Sequence, residues 1–194
     1  TRLEGLYSMI KSKEGERQLQ NHRGESSDST DLHQAGLYFV EFIFEDNRGR
    51  LWVGGESNKS LQYYDKLLNR LVRLVDNPSA INRLPDTGII MHQKGSDTLL
   101  SISTSGIYKI ILPLLEISAD TVMPTNVIKC RLFDEDGQDA GSPLVYMSYM
   151  DNSGNIWLGT ERHGLRKVIG ENISGMASND YKVKTYSISD GLPS

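Results

Sequence analysis

Short runs of alternating apolar and polar residues follow one another along the chain, separated by turns rich in glycine, asparagine, aspartate and serine. The last series consists of VYMSYM (145–150), NIWLGT (155–160), GLRKVI (164–169) and YKVKTYSIS (181–189). A period of two over runs of this length is typical of antiparallel strands with one buried face. Residues 58–75 are the best helical alternative, but their position in the repeat described next favours two strands and a loop. The pattern therefore predicts an all-β chain.

The series of strands is repeated. VEFIFEDNRGRLWVGG (40–55) aligns without gaps on VYMSYMDNSGNIWLGT (145–160), so that an aspartate, two glycines and a tryptophan coincide. A degenerate third copy, IIMHQKGSDTLLSIST (89–104), keeps the alternation and places Ser101 at the tryptophan position. A repeat of roughly 50 residues made of four short strands is typical of β-propeller blades.

These repeats predict a β-propeller fragment of about three and a half four-stranded antiparallel blades. Residues 1–22 supply only the outer strands of one blade, three blades occupy 39–76, 88–134 and 144–189, and 190–194 link to the next blade. Because a closed propeller has roughly four to eight blades, we expect the chain to be part of a larger ring. Its remaining partners are then the other blades, and open sheet edges favour edge-to-edge association, for example as a homodimer.

The repeated residues have structural roles in such a blade. Trp52 and Trp157 are large enough to fill the wedge between adjacent sheets. The aspartate of each turn accepts backbone hydrogen bonds, and the glycine supplies a positive φ. Cys130 lies in the apolar alternation VIKCRLF, so we expect a buried structural thiol.

Composition and charge exclude several classes of function. The net charge is -4 and no basic stripe is present, which argues against nucleic-acid binding. No apolar run reaches the roughly 18 residues of a membrane span, so we expect no membrane contact. A single cysteine excludes an internal disulfide and cysteine-rich zinc sites.

Candidate catalytic, cofactor-binding and metal-binding residues are not predicted. His22, His33, His92 and His163 have none of the spacings of zinc ligands. The acidic segment DEDGQD (134–139) lacks the register of a calcium loop, which favours a solvated loop. No paired carboxylates or clustered arginines indicate a glycosidase.

Four tyrosines are candidates for stacking against a sugar: Tyr63, Tyr64, Tyr146 and Tyr149. Strand alternation turns some of them inward, so the ligand-binding residues stay unassigned.

The segments DNRGRLWVGG, DNSGNIWLGTERHGL and YSISDGLPS together resemble the two-component regulator propeller repeat. The extensions G-T-x-x-x-G-L and D-G-L-P-S distinguish this pattern from the similar aspartate box of sialidases. The resemblance implies a piece of the periplasmic sensor region of a hybrid two-component histidine kinase and response regulator, as in Bacteroides.

Many such proteins sense oligosaccharides, so the resemblance implies a non-catalytic, extracytoplasmic ligand-sensing module with an oligosaccharide ligand. Two alternatives stay open on the residues alone. One is a propeller enzyme acting on glycans, either a sialidase-like hydrolase or a lyase, and the other is a protein-interaction scaffold.

Overall fold

The structure, a computed structural model, describes residues 7–11, 17–21, 42–54, 61–65, 70–80, 82–85, 88–92, 97–103, 105–114, 121–169 and 179–193. The strands, in chain order, are β1 (Tyr7–Lys11), β2 (Arg17–Asn21), β3 (Phe42–Glu45), β4 (Leu51–Gly54), β5 (Gln62–Asp65), β6 (Arg70–Leu74), β7 (Gly88–His92), β8 (Thr98–Ser103), β9 (Gly106–Ile111), β10 (Thr121–Val122), β11 (Asn126–Lys129), β12 (Arg131–Phe133), β13 (Val145–Met150), β14 (Ile156–Thr160), β15 (Leu165–Ile169) and β16 (Asp180–Tyr186). One 3-10 turn, Ile188–Asp190, is the only helical element in these ranges. The predicted all-β class is confirmed, and the sheets are those of a propeller fragment.

The chain divides into two compact units, and the first contains residues 1–75 and 117–122. In it, β1 pairs with β2, and β3 to β6 form an antiparallel meander. The short strand β10 adds in parallel to the outer strand β6. Within the 58–75 segment, β5 and β6 confirm the prediction of two strands rather than a helix for residues 62–65 and 70–74.

The second unit contains residues 76–116 and 123–194 and has two sheets. The middle sheet has the order β11-β9-β8-β7, and the last sheet has the order β12-β16-β15-β14-β13. The four predicted strands of the last series are present, although the final residues 187–189 lie in the 3-10 turn region rather than in β16.

Strand β12 belongs to the last sheet by its pairing. Residues 131–133 fall within the range assigned to the second blade, but they pair in parallel with β16 of the last sheet. The guanidinium of Arg131 donates two hydrogen bonds of 2.8 Å to the carboxylate of Asp180, one to each oxygen. This bidentate contact adds a side-chain link to the backbone pairing of β12 with β16.

The two sheets of the second unit pack face to face around an apolar core. Its members are fully or almost fully buried: Leu100, Ile102 and Ile107 from the middle sheet, Ile156, Leu158, Val168, Tyr181 and Val183 from the last sheet, and Cys130 and Leu132 from the connection. The guanidinium of Arg166 fixes the connection to the last sheet by donating to the carbonyl oxygen of Ala140 at 2.8 Å. Burial of one sheet face on another is the packing that propeller blades require.

The middle sheet corrects the predicted position of its tryptophan equivalent. Trp157 lies opposite Lys167 in the last sheet, and Leu100 lies opposite Lys109 in the middle sheet. Lys167 is the third residue after Gly164, which precedes β15, and Lys109 is the third residue after Gly106, which begins β9. Leu100 therefore occupies the tryptophan position, and the assignment of Ser101 to it was wrong. The sequence alignment assumes that the turn after β8 is two residues shorter than the turn after β14. The strand pairing shows that it is one residue shorter.

Candidate functional site

The three D-x-x-G turns share one geometry, and it occupies their carboxylates. Oδ1 of Asp46, Asp134 and Asp151 accepts backbone N–H groups two and four residues further along the chain, at 2.8–3.0 Å. The glycine of each turn has a φ between 73° and 80°. The acidic segment 134–139 is thus an exposed loop that contains a third copy of the repeat turn.

In two of these turns the second carboxylate oxygen binds the tryptophan. Nε1 of Trp52 donates to Oδ2 of Asp46 at 2.8 Å, and Nε1 of Trp157 donates to Oδ2 of Asp151 at 3.0 Å. Burial alone would raise the pKa of Asp46, but hydrogen bonds from Trp52 and Arg50 hold it below its usual value. Hydrogen bonds from Asn155 and then Trp157 lower the pKa of Asp151 to about 2. These carboxylates are therefore ionised acceptors that hold the hairpin together.

A cluster of ionisable groups lies between the two sheets of the second unit. Cys130 is buried as predicted, and its burial raises the pKa of the thiol to about 11. Burial also lowers the pKa of Lys109 and raises that of Tyr181. Nζ of Lys109 lies 5.4 Å from the centre of the Tyr181 ring and 3.4 Å from Oδ1 of Asn179. The thiol is protonated at neutral pH, so it lacks the thiolate character of a nucleophile.

Of the four histidines, His163 is the one whose surroundings the structure describes. His22 and His33 lie outside the described residues, His92 ends β7, and His163 is exposed in the turn after β14. Among the described residues, no group of three or more histidine, cysteine, aspartate or glutamate side chains could hold a metal ion. None of the helical segments described is long and apolar enough to cross a membrane.

The four candidate tyrosines differ in exposure. Tyr63 is buried against Trp52, with ring centres 5.0 Å apart, and Tyr64 is half-buried. Tyr146 and Tyr149, both on β13, are 66% and 64% exposed. Only this second pair is therefore available to a ligand in the structure.

The turn between β14 and β15 is rigidly built and presents charged side chains. The hydroxyl of Thr160 donates to the carbonyl oxygen of Gly164 at 2.7 Å and accepts the backbone N–H of His163 at 3.1 Å. Gly164 has a φ of 64°, and a Cβ there would collide with the carbonyl oxygen of Tyr186. The Thr and Gly of the G-T-x-x-x-G-L pattern thus fix this turn, whose three intervening residues, Glu161, Arg162 and His163, are exposed.

The same turn lies beside the beginning of β13. Val145 pairs with Thr160, and the backbone N–H of Glu161 donates to the carbonyl oxygen of Leu144 at 3.0 Å. A register shift between Val145 and Met147 leaves Tyr146 without a partner in the ladder, the kind of bulge that redirects a side chain.

We call the exposed residues at this end of the last sheet the Tyr146 surface: Leu144, Tyr146, Glu161, Arg162 and His163. On two neighbouring backbone segments these residues supply an aromatic ring, a carboxylate, a guanidinium and an imidazole. Nε of Arg162 lies 3.9 Å from Oε2 of Glu161, and both side chains are exposed enough to change partners. An aromatic face with nearby hydrogen-bonding groups is suited to a polar ligand that has an apolar face. The sequence signals for this surface were Tyr146 and the turn motif, but their adjacency depends on the strand pairing.

Comparison with known proteins found similar solved structures but no matching family model and no matching curated protein. Two solved structures of the extracellular domain of BT4673 from B. thetaiotaomicron are similar to this chain; one describes BT4673 as a one-component system and the other as a hybrid two-component system. In each comparison the sequences are 17% identical, the TM-score is 0.48, and the match covers 86% of this chain and 24% of the other. The chain thus spans about a quarter of the length of these structures, which are extracellular domains.

Proposed function

We propose that the chain is part of a non-catalytic, extracytoplasmic propeller that senses oligosaccharides for a hybrid two-component system with a histidine kinase. In a bacterium with two membranes this places it in the periplasm. The proposal combines the resemblance of its repeats to the two-component regulator propeller repeat with the chemistry of the Tyr146 surface.

The observation that carries the proposal is the exposure of Tyr146 beside the preorganised turn of Thr160 and Gly164. A sugar ring has an apolar face that can stack on a tyrosine ring, and its hydroxyl groups can bind carboxylate, guanidinium and imidazole groups. A rigid turn lowers the entropy lost when a ligand binds. The turn carboxylates Asp46, Asp134 and Asp151 already accept several hydrogen bonds each, which disfavours them as catalytic groups.

The test is isothermal titration calorimetry of the chain with a panel of neutral and acidic oligosaccharides. The Tyr146→Ala variant is expected to lose binding of any sugar that the chain binds. Tyr149→Ala is the matched control, because Tyr149 is on the same strand and equally exposed but lies opposite Trp157, away from the Thr160 turn.

Three results would contradict the proposal in different ways. Binding that Tyr149→Ala removes and Tyr146→Ala preserves would reject the Tyr146 surface. Conversion of a bound sugar to a new product, detected by mass spectrometry, would favour the enzyme alternative. Failure to bind any sugar, with tight binding of a protein instead, would favour the scaffold.

A further inference from the structure

The core-facing side of the last sheet contains a buried positive charge. Arg166 on β15 pairs with Leu158 on one side and with Thr185 on the other. Leu158 belongs to the apolar core and Thr185 is exposed, so Arg166 lies at the border between the core and the solvent. Arg166 itself is only 7% exposed. Because a guanidinium stays protonated even when it is buried, the charge is permanent.

Within the described part of the chain, the Arg166 guanidinium uses one nitrogen and leaves one edge without an acceptor. Nη1 donates to the carbonyl oxygen of Ala140 at 2.8 Å. Nε is buried and has no acceptor among the described residues, and none of the ion pairs between those residues includes Arg166. We call Nε and Nη2 the open edge of Arg166. Since a buried charge without a partner is costly, the open edge is suited to an anion.

Arg131 shows in the same sheet how such an edge binds a carboxylate. Its Nε and Nη2 each donate a hydrogen bond of 2.8 Å to one oxygen of Asp180. Arg166 holds Ala140 through Nη1, so the same pair of donors is left for a second group of this kind. Two parallel hydrogen bonds from a guanidinium select carboxylates and phosphate-like groups such as sulfate. An anion can therefore bind Arg166 without displacing Ala140.

The other two sheets show that the repeat does not need a charge at this position. By strand pairing, the equivalents of Arg166 are Gln62 in the first unit and Tyr108 in the middle sheet. They are 8% and 9% exposed, so the position is buried in all three sheets. Both equivalents are neutral side chains. The positive charge of Arg166 is therefore not required by the packing of the repeat, and a role in binding accounts for it.

Arg166 lies close to the Tyr146 surface. It is the second residue after Gly164, which ends the exposed turn of that surface, so about 7 Å of strand separates the two. The connection that Arg166 holds at Ala140 continues to Leu144, another residue of the surface. A ligand on the Tyr146 surface therefore needs only one group that extends along β15 to reach the guanidinium.

We propose that the open edge of Arg166 binds a carboxylate or sulfate group of the ligand, which makes the ligand an acidic oligosaccharide. This inference rests on the proposed function, because it assumes that a sugar ring stacks on Tyr146. The acidic group accepts hydrogen bonds from Nε and Nη2, and Nη1 keeps its bond to Ala140. Since the guanidinium is buried, its attraction for an anion is screened less than that of the exposed Arg162.

Nuclear magnetic resonance of the arginine side chains measures this contact directly. The Nε–Hε signal of Arg166, identified by its absence from the Arg166→Gln variant, is followed while the chain is titrated with glucuronate, glucose 6-sulfate or glucose. These probes share one ring and differ in one group, which is a carboxylate, a sulfate ester or a hydroxyl group. We expect a saturable shift with at least one anionic probe and none with glucose. A shift with one of the two identifies the acidic group, and the galactose series is titrated in parallel to vary the ring.

Calorimetry with the oligosaccharide panel tests the same contact in a larger ligand. Arg166→Gln is expected to fold, because Gln62 occupies the equivalent position in the first unit, and circular dichroism checks this. The variant is expected to bind an acidic oligosaccharide about tenfold or more weakly, and its carboxyl-reduced or desulfated counterpart equally well. Lys167→Gln is the matched control. It removes the same charge from the next residue, whose side chain lies on the other face of the sheet, and should change neither affinity.

Two results would overturn this inference and leave the proposed function intact, provided that sugar binding still depends on Tyr146. One is an Arg166 signal that no anionic probe shifts, and the other is equal affinity of Arg166→Gln and the unsubstituted chain for an acidic sugar. An Arg166 shift that Tyr146→Ala leaves unchanged would also overturn the inference, because the anion would then bind away from the Tyr146 surface. If no sugar of the panel binds, the proposed function fails and this inference fails with it.

Discussion

The indole N–H of Trp157 donates a hydrogen bond of 3.0 Å to Asp151, whose other carboxylate oxygen accepts the backbone of the turn. Trp52 and Asp46 repeat the relationship at 2.8 Å. A single carboxylate thus fixes both the backbone of the turn and the indole ring of the tryptophan on the strand that follows the turn. The aspartate of the repeat is explained by this double role, without any catalytic function.

Replacing Asp46 with alanine is expected to destabilise the chain by about 2–3 kcal/mol, because it removes charge-assisted hydrogen bonds and leaves a buried indole N–H without an acceptor. Urea denaturation followed by circular dichroism measures the change. Asp134→Ala is the control, since Asp134 makes the same turn, whereas the indoles of Trp52 and Trp157 bind Asp46 and Asp151. Equal losses in the two variants would show that the indole contact adds nothing.

Acid is expected to weaken the fold between about pH 4 and pH 2. The pKa of Asp151 falls to about 2 in the folded chain, and that of Asp46 is also lowered. An unfolded aspartate has a pKa of about 3.9, so these groups stabilise the fold above that value and lose their contribution as the pH falls through the folded pKa. Thermal denaturation across this range measures the effect. Asp151→Asn should flatten part of the pH dependence, and an unchanged profile would contradict the assignment.

The class and order of the strands could be predicted because they depend on local alternation and on turn residues. The register of the middle sheet could not. Compared with the last sheet, its first hairpin is one residue longer and its next turn is one residue shorter. The alignment therefore placed Ser101 where the strand pairing places Leu100. A shift of one residue moves a side chain to the other face of a sheet, and only the pairing reveals it.

The contacts of the candidate sites were harder to predict because they join distant parts of the sequence. The Lys109 ammonium contacts a residue 70 positions away. Strand β12 leaves its own sheet to pair with β16, which no local pattern indicates. The indole contact of Asp151 had a sequence signal, since the same six-residue spacing recurs in Asp46 and Trp52.

Gly164→Ala is expected to disrupt the turn that carries Glu161, Arg162 and His163. The φ of 64° is unfavourable for alanine, and the added methyl group would collide with the backbone of Tyr186, which cannot move as a side chain can. A loss of roughly 2–4 kcal/mol is expected from strain and overpacking together. The melting temperature and the amide exchange of β15 measure it.

Gly154→Ala is the matched control for this substitution. Its φ of 80° is equally unfavourable, but a methyl group there meets no atom within 4 Å. It should therefore cost only the backbone strain, about 1 kcal/mol. A Gly164 variant no less stable than the Gly154 variant would mean that the turn adapts to the methyl group.

Cys130 is expected to resist thiol reagents in the native chain. The thiol is buried in the core between two sheets, and its pKa of about 11 keeps it protonated at neutral pH. Because the pKa of the folded thiol is raised, its contribution to stability is present at neutral pH and is lost as the pH rises toward 11. Labelling with iodoacetamide in increasing urea, read by mass spectrometry, should follow global unfolding. Rapid labelling in the absence of urea would contradict burial of the thiol.

Arg131→Ala is expected to release β12 from the outer edge of the last sheet. Arg131 is largely exposed while Asp180 is buried, so the global loss should be about 1 kcal/mol or less despite the bidentate geometry. The local effect should be larger, since faster amide exchange at Arg131–Phe133 and in β16 would report the opened edge. Such an edge offers unpaired backbone groups to another chain, so light scattering should detect increased self-association. Arg162→Ala, which removes an exposed ion pair of 3.9 Å, is the control and should change neither measurement. Unchanged exchange in β16 of the Arg131 variant would show that the backbone pairing holds β12 without the arginine.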